Sequence, residues 1–361
     1  LSEQHRAEHT VTRILFILKR KEDYNIAKDS RHIGLSTGLY NSASFVHNML
    51  NDLGIESHLE VVTDNNDIDR QVTKYRPTHV IIEALWVVPT KFQILKKLHP
   101  NVTWIIRFHS EMPFMAGEGS AMNWIGEYSR IKNVIISFNA PRMLREGRVY
   151  LKAMHGWSEE QVNEKVIYLP NFYPQEYAYK KFDKSKEYID IGCFGAVRPL
   201  KNHLLQAVAA VDFAESQNKK LRFHINSGRV EMQGQSVAHN IKGMFTHLYD
   251  RGHRLVNHTW APREEFLKIC AKMDIGMQCN FSETFNIVGA DLISQGVPLI
   301  GTSEIPWLTM GKTDPTDSDR IRDELEFAYR LPWLNVGLNQ RSLTKYTDRT
   351  AKIWYKQFSK R

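Results

Sequence analysis

The sequence predicts an α/β chain built from two doubly wound domains that face each other across a cleft. Three observations carry that expectation. The chain has 361 residues, more than one compact core usually holds. Short apolar runs alternate with longer amphipathic stretches, the pattern of a parallel sheet with helices on both faces. The alternation breaks once, near the middle, and then begins again.

In the first half, Arg13 to Leu18 reads as a buried strand. Ser42 to Leu53 reads as a helix with Val46, Met49, Leu50 and Leu53 on one face. Further strands are expected near His58 to Val62, His79 to Ile82, Thr103 to Phe108 and Val134 to Phe138, with helices near Asp67 to Tyr75, Thr90 to Leu98 and Asn123 to Arg130. The run Val166 to Leu169 leads into Pro170-Asn171-Phe172-Tyr173-Pro174 and a Lys-rich stretch, a composition suited to a linker. Strands resume at Ile189 to Phe194, Leu221 to Ile225, Leu255 to His258, Ile275 to Gln278 and Leu299 to Gly301. The expected division is 1–172, a linker over 173–188, a second domain over 189–340, and a terminal helix over 341–361 that returns to the first domain.

Composition narrows the function classes. Hydrophobic residues at 42% and aromatics at 11% suit packed cores and exclude a mainly disordered chain. A formal net charge of +8 suits a phosphorylated substrate, a nucleic acid or an anionic surface, and plain solubility too. Cys193, Cys270 and Cys279 lack metal-like spacing, so reduced thiols in a cytoplasmic setting are expected. The apolar run near Val80 to Val88 is too short to span a bilayer. His5 and His9 read as part of a polar leader, not a metal site.

In doubly wound sheets, ligands bind beyond the carboxyl ends of the strands, so the loops after strands are where chemistry is expected. Four such loops carry suitable residues. The most informative is Ser282-Glu283-Thr284-Phe285-Asn286-Ile287-Val288-Gly289-Ala290-Asp291, closed by Gln295-Gly296-Val297-Pro298. It reads as a carboxylate at a helix mouth with a second carboxylate two turns further along. A helix mouth offers unpaired N–H groups to an anion, and acceptor oxygens on either side suit hydroxyl donors. The plain alternative is an ordinary strand–loop–helix unit with an acid at its start.

After the first strand comes Gly34-Leu35-Ser36-Thr37-Gly38-Leu39-Tyr40-Asn41-Ser42, whose glycines permit close backbone approach, with Asn41 or Ser42 as helix cap. After the fourth comes Arg107-Phe108-His109-Ser110-Glu111; an imidazole at that strand end is placed to bond a substrate hydroxyl, and Glu111 reads equally well as a surface acid. The second domain opens with Phe194-Gly195-Ala196-Val197-Arg198-Pro199-Leu200-Lys201-Asn202-His203, a glycine turn with two cations that suit a pyrophosphate.

The order of these four loops resembles GT-B glycosyltransferases, especially retaining enzymes of glycosyltransferase family 4. The resemblance implies a nucleotide-diphosphate sugar, a UDP-sugar for preference, as co-substrate, with no tightly bound cofactor and no metal. It implies catalytic roles for His109, Arg198, Lys201 and Glu283. It implies donor contacts from Gly38, Leu39, Arg198, Lys201, Glu283, Thr284, Phe285, Asn286, Ile287 and Asp291, with Glu283 on sugar hydroxyls, backbone N–H groups from Thr284 to Ile287 facing the phosphates, and Asp291 on the ribose. The chain departs from the family pattern in several places: Ala196 stands in the usual Arg position, Arg198 lies two residues later, Asn202 replaces a Gly, and Asp291 replaces the usual Glu.

The Ser-Glu-Thr-Phe-Asn-Ile-Val and Arg-Pro-Leu-Lys-Asn-His segments are similar to phage-encoded members of the family, some of which decorate modified bases in DNA. That implies duplex DNA as a partner and a hydroxymethylated base as acceptor, served by the early cations Arg13, Lys19, Arg20, Lys21, Lys28 and Arg31. The alternatives are an enzyme of envelope polysaccharide synthesis and a non-catalytic nucleotide- or DNA-binding scaffold. Asp67-Ile68-Asp69 and Asp317-Ser318-Asp319 imitate a metal-binding acid pair, but read better as helix-capping or solvated acids.

Overall fold

A computed structural model describes residues 11–20 and 37–359. The first domain runs β1 (Arg13–Lys19), α1 (Thr37–Asp52), β2 (Glu56–Val62), α2 (Asp67–Tyr75), β3 (His79–Glu83), α3 (Pro89–Leu98), β4 (Thr103–Phe108), α4 (Met112–Met115), α5 (Ala121–Arg130), β5 (Val134–Phe138), α6 (Pro141–His155), α7 (Glu159–Lys165) and β6 (Val166–Tyr168). Its sheet has the order β2-β1-β3-β4-β5-β6, and every pairing is parallel.

Both faces of this sheet are buried, which is why its strands read as nearly continuous apolar runs. Leu15 and Ile17 of β1 join Val80, Ile82, Trp104 and Ile106 on one face. Ile14, Phe16 and Leu18 join Ile81 and Ile105 on the other. That alternation is the two-residue period of a strand divided between two cores.

The second domain runs β7 (Tyr188–Gly192), α8 (His203–Ser216), β8 (Lys220–Ile225), α9 (Gly234–His247), β9 (Arg254–Asn257), α10 (Arg263–Ala271), β10 (Ile275–Gln278), α11 (Ile287–Ser294), β11 (Leu299–Gly301), α12 (Ser318–Arg330) and α13 (Pro332–Phe358). Its sheet, β11-β10-β7-β8-β9, is also parallel throughout. Residues 169–187 join the domains without helix or strand. The end of α13 lies in the first domain: Trp354 and Phe358 belong to the cluster of Ile14 and Phe16, and Trp354 Nε1 donates to the Pro170 carbonyl at 2.8 Å.

Each sheet reverses its strand order once, between β1 and β3 in the first and between β7 and β10 in the second. Loops leaving adjacent strands at such a point diverge and open a crevice. The loops after β7 and β10 are the ones holding Lys201 and Glu283.

Two helix starts differ from the sequence expectation. α1 begins at Thr37, not Ser42, because Leu39, Ala43, Val46 and Leu50 continue one apolar stripe against the first domain's core. Asn41 and Ser42 therefore lie inside the helix and do not cap it. α11 begins at Ile287, after Asn286 adopts a left-handed φ of 66° and its side chain accepts from the Gly289 N–H at 2.6 Å. Glu283 thus sits in the loop before the helix, and only part of its spacing to Asp291 is helical.

Candidate active site at the domain cleft

Loop geometry after β7 brings the cations together. Gly195, at φ 117°, turns the chain where a side chain would be strained, and its N–H donates to Asn226 Oδ1 at 3.2 Å. A 3-10 turn over Pro199–Lys201 follows, and Asn202 enters the left-handed region at φ 55°. Asn202 Nδ2 then ties the loop to the carbonyls of Cys279 at 3.1 Å and Pro315 at 2.7 Å. Asparagine holds this conformation because it visits that region and its amide finds two acceptors.

The Lys201 ammonium is buried and pairs with the Glu283 carboxylate. Glu283 also accepts from Asn280 Nδ2 at 2.8 Å. Beneath them, Gln278 Oε1 accepts from Asn280 at 3.2 Å and Asn286 at 2.9 Å, while Gln206 donates to the Lys201 carbonyl at 2.8 Å. These amides fix both loops without adding charge. Burial lowers the Lys201 pKa, Glu283 pulls it back up, and neighbouring Arg198 lowers it again.

Opposite stands the end of the first sheet. Arg107 is fully buried and donates to Glu83 at 3.0 and 3.2 Å, to the carbonyls of Leu169 at 3.0 Å and Pro170 at 3.2 Å, and to Asn171 Oδ1 at 2.7 Å. His109 Nε2 bonds the other side of Glu83, and its Nδ1 lies 3.3 Å from Asn139 Nδ2. Burial depresses the His109 pKa below its ordinary value against the pull of Glu83, with Arg107 adding to the depression. The walls meet here: the Thr284 hydroxyl donates to the His109 carbonyl at 3.3 Å and accepts from Asn139 at 3.2 Å.

Between the walls lies a cavity of about 220 Å³, lined by Gly38, Arg198, Lys201, Ile287 and Asp291, and also by Arg229, Glu231, Trp260 and Arg263. Asp291 is buried and accepts from Tyr173 Oη at 2.7 Å and from Arg263. Phe285 is packed in the core with Tyr173 and Trp307, so its side chain is excluded from ligand contact and its carbonyl accepts from Trp307 Nε1 at 2.7 Å. Leu39 likewise packs on the first domain's core. Glu283, Thr284, Asn286 and His109 stand outside the cavity lining, with Glu283 linked to it through Lys201.

Sequence reasoning missed Glu83, Arg107, Arg229 and Arg263. Glu83 had a usable signal, an acid ending an otherwise apolar strand. Arg107, a cation one residue inside a buried strand, was quoted without being given a role. Of the early cations, Arg13 lies at the far end of β1 from the cleft, held to the Arg76 carbonyl at 2.8 Å. Lys21, Lys28, Arg31, Gly34, His5 and His9 lie outside the described residues. Asp317 caps α12, accepting from Asp319 N and Arg320 N, and Asp67 accepts from Thr63.

No protein-family model and no curated protein matches the chain. Solved structures resemble it over nearly its whole length. One is an α,α-trehalose-phosphate synthase (UDP-forming) from Burkholderia vietnamiensis, with TM-score 0.68, 10% identity and 97% of each chain covered. A sucrose-phosphate synthase from Thermosynechococcus elongatus has TM-score 0.64 and 12% identity, covering 96% of this chain and 99% of that one. Anabaena Alr3699/HepE in complex with UDP and glucose has TM-score 0.62 and 11% identity, covering 95% and 97%. With two parallel-sheet domains set across a cleft, the chain has the fold of GT-B glycosyltransferases.

Proposed function

We propose that the chain is a retaining glycosyltransferase that transfers a sugar from a UDP-sugar to a hydroxyl acceptor. The observation that carries this reading is the pairing of buried Lys201 with half-buried Glu283 at the second sheet's switch point, beside a cavity that Arg198 also lines. Lys201 and Arg198 stabilise the charge that grows on the departing diphosphate through an oxocarbenium-like transition state, in a site where water does not screen it. Glu283 offers its carboxylate to sugar hydroxyls. His109, fixed by Glu83, stands beside the transferred sugar. The departing phosphate helps to deprotonate the acceptor on the same face. Asp291 reaches the ribose together with Arg263, to which it is paired. The similar solved structures named for UDP formation, or holding UDP and glucose, support the choice of donor.

For the acceptor we propose a hydroxymethylated base of duplex DNA. The net charge of +8 supports it, and so do Lys19 and Arg20, exposed at the cleft end of β1. Arg13 no longer contributes, because it sits at the opposite end of the strand, about 20 Å away at roughly 3.3 Å per residue.

The test is to incubate the protein with UDP-sugars and hydroxymethylated duplex DNA and to weigh the released nucleosides. Acceptor-dependent UDP release with a sugar-shifted nucleoside mass is the expected result. Transfer to a neutral oligosaccharide and none to DNA replaces the acceptor with an envelope glycan. UDP binding without turnover on any acceptor class leaves a binding scaffold and ends the enzymatic reading.

A further inference from the structure

Ala196 leaves the second domain's first loop without the cation expected beside Lys201, and the cavity replaces it from a different loop. Arg229, between β8 and α9, lines the same cavity as Arg198 and Lys201. Glu231 bridges the two arginines: Arg229 Nε donates to Glu231 Oε1 at 2.6 Å, and Arg198 Nη1 donates to Oε2 at 3.3 Å. Each guanidinium also lies over an aromatic ring, Arg198 at 4.7 Å from the centre of Phe114 and Arg229 at 5.2 Å from that of Trp260. Two flat cations held this way lose little freedom when they take up an anion.

Their spacing is set by backbone. Val197 N–H donates to the Arg229 carbonyl at 2.9 Å, and Glu231 N–H donates to the Val197 carbonyl at 3.0 Å. Gly234 locks the approach, since a Cβ there would meet the Val197 carbonyl oxygen at 2.0 Å. The two loops therefore present their arginines as one unit.

Along the cavity lining, Arg263 pairs with Asp291, and Lys201 pairs with Glu283 behind it, while Arg198 and Arg229 share the carboxylate of Glu231.

We infer that Arg229, coupled to Arg198 through Glu231, binds the donor's diphosphate in place of the arginine that Ala196 lacks, with Glu231 as the positioning residue. This rests on the nucleotide-sugar reading above. An anion of two phosphates engages both guanidinia while Glu231 keeps them apart and oriented. Charge-assisted bonds of this kind are the strong ones, and planar guanidinium suits phosphate.

Titration calorimetry with UDP and UMP tests it on wild type, Arg229→Ala, Arg229→Lys and Glu231→Gln, with thermal melting as a check on folding. Arg229→Ala is expected to weaken UDP by about tenfold or more and UMP by distinctly less, with Arg229→Lys recovering part of the loss. Glu231→Gln is expected to lower turnover more than it changes the donor KM. Arg229→Ala that melts like wild type and binds UDP within about twofold of it overturns the inference, as does an equal loss for UDP and UMP. If Arg229→Ala does not fold, Arg229→Lys and Glu231→Gln decide: unchanged UDP binding and turnover in both overturns it. Wild type that fails to bind UDP at all is a different outcome, because it removes the nucleotide-sugar reading itself.

Discussion

The two walls of the cleft use charge in opposite ways. On the first-domain wall, Arg107 is enclosed and spends its donors on Glu83, Asn171 and two carbonyls. On the second-domain wall, Arg198, Lys201, Arg229 and Arg263 face a cavity, and the acids beside them, Glu231, Glu283 and Asp291, are partners that a ligand can share or replace. A buried charge with a complete set of partners holds structure, and removing one partner strands the other. A cation at a cavity edge keeps its field available to a ligand. The difference separates charges that brace the fold from charges that line the cavity, although both kinds lie at the cleft.

The largest expected effect follows from the first wall. Glu83→Gln leaves Arg107 buried without its counter-charge, and should cost about 3–5 kcal/mol of folding stability. Urea denaturation of the variant measures it. A variant as stable as wild type would show that the Arg107 network is not a structural device, and the contrast between the walls would fail.

Lys201→Ala should behave in the reverse way. Its removal unpairs Glu283, which stands at the cavity edge and keeps its bond from Asn280 at 2.8 Å, so the melting temperature should fall by less than in Glu83→Gln. Turnover should fall by about 2–4 kcal/mol of transition-state stabilisation, the usual worth of one such donor. Arg198→Ala should lose less, since Arg229 shares the same acid and the same cavity. Single-turnover kinetics at saturating donor separates these cases. An Arg198→Ala variant slower than Lys201→Ala would reverse the order, making the displaced arginine the main charge partner of the diphosphate.

Strand positions were legible because both faces of each sheet are buried, which writes the strands as apolar runs such as Ile14 to Leu18. The Lys201 and Glu283 loops were legible because glycine, cation and acid follow a strand in a recognisable order. What stayed hidden is what depends on three-dimensional meeting. Arg229, in the loop after β8, and Arg263, at the start of α10 after β9, have no local signature, and reach the cavity only through the sheet order β7-β8-β9. Asn41 and Ser42 misled for a related reason. Both are good caps in isolation, but the apolar stripe from Leu39 onward draws the helix start back past them. The side chain of Phe285 turns into the core against Trp307 because a large ring gains more from burial than from a polar cavity, a direction that the order of residues in the motif does not reveal.

Glu111 offers the smallest effect and the sharpest test of where the first wall ends. Its carboxyl is buried beside Arg142 at 3.5 Å, while Arg142 itself donates to Glu304 of the second domain at 2.7 Å. Burial pushes the Glu111 carboxyl up to about 7; Arg142 opposes the shift, and Glu304, Glu146 and Glu283 add to it. Unfolded, the same group titrates near its ordinary value of about 4.3. The folded state therefore binds this proton more tightly, so the stability that Glu111 contributes is complete below that value and is lost as pH rises through about 7. Glu111→Gln cannot ionise and escapes the loss. Relative to wild type, the variant should gain on the order of 1–2 kcal/mol between pH 5 and pH 8, less than the full linkage because solvent screens partly exposed Glu146, one of the acids that add to the shift. Melting both proteins at the two pH values measures the change. A stability difference that stays constant with pH would mean that Arg142 keeps Glu111 ionised throughout, placing it with the paired charges of Glu83 and Arg107.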